Sequence, residues 1–446
     1  MRDAEPAPAP DTIAAIATPT GRGALGIVRL TGPAIPVLAR RLLPALPAPR
    51  HAALMRVRDA GGETLDEAIV LHLPAPRSYT GEHVLEIHAH GGPVVLQGIL
   101  QACLDAGARL AEPGEFTRRA FLNGRLDLAQ AEAVADLIDA ASREAARSAL
   151  RSLQGDFSSA IGELSAQLVE LRALTEAMLD FPEEDVDALH HDDARARLAR
   201  TRHALEEVRS RSREGALLRS GIQVVLAGRP NVGKSSLLNR LAGAERAIVT
   251  PIPGTTRDAL REAILIEGVP LIVVDTAGLR ATCDEVERLG VERAHAEMAQ
   301  ADIVLAVHDA SAPQVDPTES IPRAPARIDV YNKIDLAPDF LPPPAAAAAV
   351  LVSAKTGAGL DRLRRGILEA AGWAGHGEGV FLARERHLRA MSDAAHHLDA
   401  AAQQISHWEL FAEELRLAQH SLSAVTGEYV ADDLLGEIFS RFCIGK

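Results

Sequence analysis

The stretch AGRPNVGKSSLLNRL, residues 227–241, runs from a glycine-rich turn straight into an apolar helical pattern. Within it, Gly228 to Ser235 fits the spacing G-x-x-x-x-G-K-S, with the strand-like QVVLAG before it and SSLLNRLAG after it. A strand before and a helix after are the context that a phosphate-cradling loop requires. Glycines let main-chain N–H groups turn toward phosphate oxygens, and the helix start adds its positive end. Lys234 supplies counter-charge for the β- and γ-phosphates, and Ser235 offers a hydroxyl to Mg2+. A glycine-rich turn that holds nothing is the competing reading, and the flanking strand and helix weigh against it.

Downstream elements choose the base. In YNKID, Asn332, Lys333, Ile334 and Asp335 follow a strand-like run, and a carboxylate at Asp335 can accept both N1–H and the 2-amino group of guanine. Adenine offers neither donor on that edge. Ser353, Ala354 and Lys355 follow the next strand and supply a main-chain cradle for the base. Asp275, Thr276, Ala277 and Gly278 close another strand, where the carboxylate would hold Mg2+ through water and the glycine could turn toward a γ-phosphate. Four such elements in this order imply GTP. The position after Gly278 is Leu279, which cannot orient water as a glutamine there does, so another group must position the nucleophile. Asn231, together with the polar loop from Thr250 to Asp258, is open to two readings: ligands of a monovalent cation, or ordinary turn residues.

The 446 residues exceed one compact core and imply about three domains. A net charge of −14 argues against a chain-wide basic footprint for nucleic acid but leaves a local one open. Three cysteines, none in a C-x-x-C pair, exclude a disulfide framework or a zinc ribbon and fit a reducing compartment. The acidic, proline-rich start lacks the basic and apolar runs of a signal peptide, and no apolar run reaches the roughly 18 residues of a membrane span. A soluble, cytoplasmic protein is expected.

Residues 1–125 mix short strand-like runs (GALGIVRL, HVLEIHAHGG) with GPVVLQGILQACLDAGA, a helix closed at Gly107, and so predict an α+β domain. Residues 126–220 turn helical: Ile161, Leu164, Leu168, Leu171 and Met178 form one stripe, interrupted at DFPEEDVD by Pro182. Residues 221–377 alternate strands (IQVVLAG, PLIVVDTAG, DIVLAVHDA, IDVYN, AVLVSAK) with helices, the pattern of a doubly wound, mostly parallel sheet. Residues 378–446 return to helix, with one stripe at Leu388, Met391, Ala395, Leu398, Ala402 and Ile405, and a second at Phe411, Leu415, Ala418, Leu422 and Val425. Each stripe needs a partner. The fold class expected is therefore multidomain α/β and α+β: a discontinuous helical bundle whose two parts pack together around an inserted P-loop G domain.

These residues carry a resemblance. GRPNVGKSSLLN, GTTRD and DTAGLR…DEVERLGVERA resemble the G domain of the MnmE (TrmE) family of tRNA-modification GTPases. DTIAAIATPTGRGALGIVRLTG, SYTGEHVLEIHAHGG, PGEFTRRAFLNGRLDLAQAEAVADLIDA and the terminal FCIGK extend the likeness over nearly the whole chain. It implies a nucleotide site built from Asn231, Val232, Gly233, Lys234, Ser235 and Ser236, from Thr250, Pro251, Ile252, Pro253, Gly254, Thr255 and Thr256, and from the three downstream loops. It further implies Mg2+ on Ser235 and Thr256, K+ on Asn231, Thr250, Ile252 and Thr255, and Glu287 orienting the attacking water indirectly. A reduced folate would lie against Arg29, Glu86, Arg125 and Lys446 in the N-terminal domain; Arg125 stands where the family usually has Lys, keeping charge but changing geometry. The family forms a homodimer through the N-terminal domains, with G domains pairing across the nucleotide. With an FAD-dependent partner, MnmG, in a heterotetramer, it installs a carboxymethylaminomethyl-type group on C5 of the tRNA wobble uridine.

Other residues have plainer readings. Cys443 is either a catalytic thiol near folate and uridine or a small buried hydrophobe. His88 and His90 share a strand face, where polar contacts outweigh a metal site lacking a third ligand. Cys103 reads as core, Cys283 as incidental, and PEED and HHDDARAR as solvated surface. The alternative function is a regulatory or ribosome-assembly GTPase switch, which would have no need of a folate pocket.

Overall fold

The computed structural model describes residues 11–180, 187–243, 261–275, 301–312, 326–343, 349–375, 379–428 and 432–445. The chain forms two compact units, residues 1–135 with 423–446, and residues 136–422.

The first unit is α+β. Strands β1 (Ile13–Ile16), β2 (Leu25–Thr31), β3 (Ala53–Arg58), β4 (Thr64–Leu73), β5 (Val84–His90) and β6 (Arg109–Leu110) form one sheet in the order β3-β4-β5-β2-β1-β6. All pairs are antiparallel except β1 with β6. Alternation sorts the side chains: Val28, Leu30, Leu85 and Ile87 face a core with Ile35 and Leu38 of α1 (Ile35–Leu42) and Ile99 and Cys103 of α2 (Pro93–Asp105). The opposite face carries Ile13, Ala15, Ala111 and Phe116, with Tyr79 packed on them. Helices α3 (Glu115–Leu122) and α4 (Leu128–Ile138) follow.

The second unit begins with α5 (Arg143–Gln154), capped by Ser142 Oγ on Ala145 N, then α6 (Asp156–Asp180) and α7 (Asp187–Ser220). Ile161, Leu164, Leu168 and Leu171 are buried along α6, but Met178 of the expected stripe is only half-buried and Thr175 is buried one turn earlier; Ala194, Leu198, Leu205 and Val208 are buried along α7. Then β7 (Ile222–Ala227), α8 (Lys234–Ala242), β8 (Arg261–Ile266), β9 (Val269–Asp275), β10 (Ile303–Asp309), β11 (Ala326–Asn332), β12 (Ala349–Leu351) and α9 (Leu360–Ala370) form an α/β layer. Its sheet runs β12-β11-β10-β7-β9-β8 and is parallel except where β8 meets β9. Helices α10 (Glu385–Gln403) and α11 (Trp408–Thr426) return to the bundle. Ser212 Oγ of α7 lies 3.9 Å from Met391 Sδ of α10, and Arg172 of α6 donates to Gln419 Oε1 of α11 at 2.7 Å. The multidomain α/β and α+β class is as expected, and the two helical stretches do pack together.

Four details depart from the sequence pattern. Strand β8 went unread: Glu267 and Gly268, both left-handed at φ 51° and 80°, make the two-residue hairpin that turns it onto β9. The α10 stripe buries Ala394 and Ala401 rather than Ala395 and Ala402, because adjacent alanines fit either side of the same period. The last helix, α12 (Asp432–Ser440), belongs to the first unit, where Leu435, Ile438, Phe439 and Phe442 pack on Leu128 and Ala131. His191, read as helix surface, stacks on Trp408 with ring centroids 4.4 Å apart.

Candidate functional site

The phosphate-type loop lies between β7 and α8. Asn231 takes a left-handed φ of 64°, and Gly233, the residue preceding α8, takes 97°. A Cβ at Gly233 would sit 2.4 Å from Asn332 Nδ2, so two loops meet there at a distance only glycine allows. Buried Lys234 folds back: its Nζ donates to Gly228 O and Arg229 O, each at 2.9 Å, closing the loop on itself. Val232 is buried, while Ser235 and Ser236 are exposed on the first turn of α8. A closed loop opening a helix start presents main-chain N–H groups to an anion.

Asn332, at the end of β11, is buried and joins three loops. Its Nδ2 donates to Val232 O at 2.9 Å, and its Oδ1 accepts from Ala354 N at 3.0 Å. Ile334 N donates to Val352 O at 3.3 Å. Ser353, fully buried, donates its hydroxyl to Asp335 Oδ1 at 2.6 Å and accepts from Thr356 N at 3.1 Å. Asp335 is exposed and one carboxylate oxygen is thereby fixed, a geometry suited to two in-plane N–H donors of a base. Lys355, two residues after Ser353, is exposed. Asp275 ends β9, next to Leu226 of β7 in the parallel ladder. Thr250, Pro251, Ile252, Pro253, Gly254, Thr255, Thr256, Thr276, Ala277, Gly278, Leu279, Cys283 and Glu287 lie outside the described residues.

A second cluster sits on the sheet face of the first unit. The β2–β5 register sets Arg29 directly opposite Glu86. Arg29 Nε donates to Glu86 Oε1 at 2.9 Å, and His88 Nε2 lies 3.0 Å from Glu86 Oε2. The Arg29 guanidinium stands 6.0 Å from the Tyr79 ring centre and 5.9 Å from that of Phe116, and donates to Gly445 O at 3.4 Å. Burial pushes the Tyr79 phenol up, against its hydrogen bond with Thr117. The C-terminal strand segment is held by a bridge from Pro113 to Ile444 and by Gly114 N donating to Cys443 O at 3.4 Å. Arg125 is exposed, with its side-chain stem against Gly81, and Lys446 lies outside the described residues. Of the four folate-type positions, the structure joins Arg29 and Glu86.

Cys443 is exposed and unpaired with any other cysteine, which removes the reading of it as a buried hydrophobe. Cys103 is core, and burial pushes its thiol up to about 12. His90 pairs with Asp66 rather than with His88; among the described residues no three metal-type ligands gather. His88 makes the polar strand-face contact expected of it, with Glu86, whereas one participant escaped the sequence: Asp309, which receives Lys333 Nζ at 2.6 Å. A charged residue closing the strand run DIVLAVHDA is the one hint of the latter.

A phosphate-type loop, a guanine-type loop and a cradle loop tied together by one asparagine define a P-loop GTPase. Comparison with known families narrows the class: residues 12–125 match the GTP-binding protein TrmE N-terminus, and residues 128–443 match the MnmE helical domain. Relatives named tRNA modification GTPase MnmE are 59% identical in Azoarcus sp. over 98% of both chains, 57% in Thiobacillus denitrificans over 98% of this chain and 99% of the other, and 54% in Nitrosomonas europaea over the same shares. The chain belongs to the MnmE family.

Proposed function

We propose that this chain, a GTPase of a tRNA-modification family, couples GTP hydrolysis to modification at C5 of the wobble uridine, adding a carboxymethylaminomethyl-type group together with an FAD-dependent MnmG partner. The observation that supports the reading is the junction at Asn332, whose hydrogen bonds tie the Gly228–Ser235 loop to the Ser353 loop that holds Asp335. Lys234 would neutralise the β/γ-phosphates, and Asp335, steadied by Ser353, would read the guanine edge. The hydroxyl of Ser235 suits Mg2+, with Thr256 and Asp275 completing that set, and Asn231 would ligate K+ together with Thr250, Ile252 and Thr255. Leu279 leaves the water-positioning role to Glu287. K+ would stand where an arginine finger otherwise neutralises transition-state charge.

In the first unit, the Arg29 guanidinium and the Glu86 carboxylate offer a donor and an acceptor suited to a reduced folate, which would supply a one-carbon unit when bound. Arg29 and Glu86 would hold it together with Arg125 and Lys446, and the exposed Cys443 would offer a thiol for the uridine chemistry. The protein would act in the cytoplasm as a homodimer, paired with MnmG in a heterotetramer; among the described residues no helix is long and apolar enough to cross a membrane. Deleting the gene and analysing wobble uridines by mass spectrometry tests the reading. Loss of the C5 substituent is expected; unchanged nucleosides in a strain without a redundant route would overturn it.

A further inference from the structure

Asp309 closes β10 and lies beside Asn332 in the parallel ladder, outside every motif of the nucleotide loops. Its Oδ2 accepts from Lys333 Nζ at 2.6 Å, and the same ammonium donates to Asn231 O at 2.7 Å. Its Oδ1 accepts from Ser311 N at 2.9 Å and from Ser311 Oγ at 2.6 Å. Both oxygens are therefore committed, and the carboxylate cannot swing away from the lysine. Lys333 itself sits at a left-handed φ of 68°, a conformation that a non-glycine residue holds only when its surroundings fix it.

We propose that Asp309 is a positioning residue of the nucleotide site: through Lys333 and Asn231 O it sets the spacing between the base-reading loop and the phosphate loop. A nucleotide engages both loops at once, so any freedom in that spacing must be removed when it binds. Asn332 supplies one tie between the loops, a neutral one; the Asp309–Lys333–Asn231 relay supplies a charge-assisted second. Burial raises the Asp309 carboxyl, but the Lys333 ammonium and the Ser311 donors outweigh it and hold the group ionised below the usual carboxylate range. The relay rests on Gly228–Ser235 and Asn332–Asp335 forming one nucleotide site.

The test is dissociation of a fluorescent GDP from the full-length protein, with steady-state GTP turnover alongside. Asp309→Asn should raise the dissociation rate and the KM for GTP about tenfold. The kcat at saturating GTP should stay within about twofold and the thermal midpoint of the nucleotide-free protein within about 2 °C. Asp309→Glu should restore most of the retention. Combining Asp309→Asn with Lys333→Met should add nothing beyond Lys333→Met alone, since both act through one relay. Wild-type dissociation from Asp309→Asn, or fully additive effects in the double variant, would overturn the proposal while leaving the site intact. Should Asp309→Asn lose its fold, wild-type retention by a folded Lys333→Met would overturn it equally. A wild-type protein that holds ADP as firmly as GDP would instead defeat the reading of the site itself.

Discussion

In the G domain, main-chain conformation shapes the candidate site: Asn231 and Lys333 both take left-handed angles, and Gly233 admits Asn332 where any Cβ would collide. In the N-terminal unit, Arg29 and Glu86 are ordinary strand residues, 57 positions apart, that meet because the β2–β5 register sets them opposite each other. The first arrangement writes itself into short contiguous stretches, since each unusual angle needs a particular residue at a particular place. The second depends on long-range pairing and on a chain end 416 residues away, where Gly445 accepts from Arg29. Local constraint and distant assembly produce sites of different legibility and, by the same physics, of different vulnerability.

The largest expected effect separates the two. Lys234→Ala removes the loop's one ammonium and should lower GTP turnover about 10²–10³-fold, while binding of a reduced folate analogue, followed calorimetrically, is unchanged. Loss of both activities together would mean the regions are not independent. Next, Glu86→Gln should weaken the folate analogue roughly tenfold or more, because Arg29 loses its ionic partner, with basal GTP turnover unaltered. Unaltered folate binding would break the comparison on the N-terminal side.

A smaller effect concerns what holds the inserted G domain. Asp136 Oδ1 accepts from Arg219 Nε, just before β7, and from an Arg384 guanidinium N–H, just after the insertion, each at 2.9 Å. One buried carboxylate thus ties both stems. Asp136→Asn should cost about 2–3 kcal/mol, less than a fully buried pair because Arg219 is partly exposed, read as a lowered denaturation midpoint. A shift below about 0.5 kcal/mol would show that the stems are held by packing alone.

The smallest effect is acid sensitivity shared by both regions. At Glu115 and Asp329, burial raises the carboxyl, but ion pairing outweighs it: Arg109 at Glu115, His308 and Arg327 at Asp329. Asp11 is held below the usual range chiefly by Arg109. Because their folded values are depressed, these groups contribute stability above the ordinary carboxylate range, and it is lost as pH falls through the folded values. Denaturation midpoints should therefore decline as pH falls from about 4 toward about 2; an increase toward acid would contradict the ion-pair account.

Legibility followed these causes. The phosphate loop, the Asn332–Asp335 loop and the α6 stripe as far as Leu171 were readable because spacing alone dictates them. Strand β8 was missed although Glu267–Gly268 is a two-residue hairpin signal, since the strand runs into its neighbour with scarcely a polar break. Ala394 and Ala395 could not be separated by period, as both are small and apolar. The placement of α12 rests on Phe439 and Phe442 meeting Leu128 across more than 300 residues, which no local pattern encodes. His88 and Asp309 are single polar residues whose partners only the fold supplies.

Competition between GTP and ATP for the purified protein tests the central claim most directly: a triphosphate held by the Gly228–Ser235 loop is read as guanine by Asp335. Displacement of a fluorescent GDP by GTP but not by a hundredfold excess of ATP, with that preference lost in Asp335→Asn, is the predicted result. Equal displacement by both nucleotides in the wild-type protein would contradict the account.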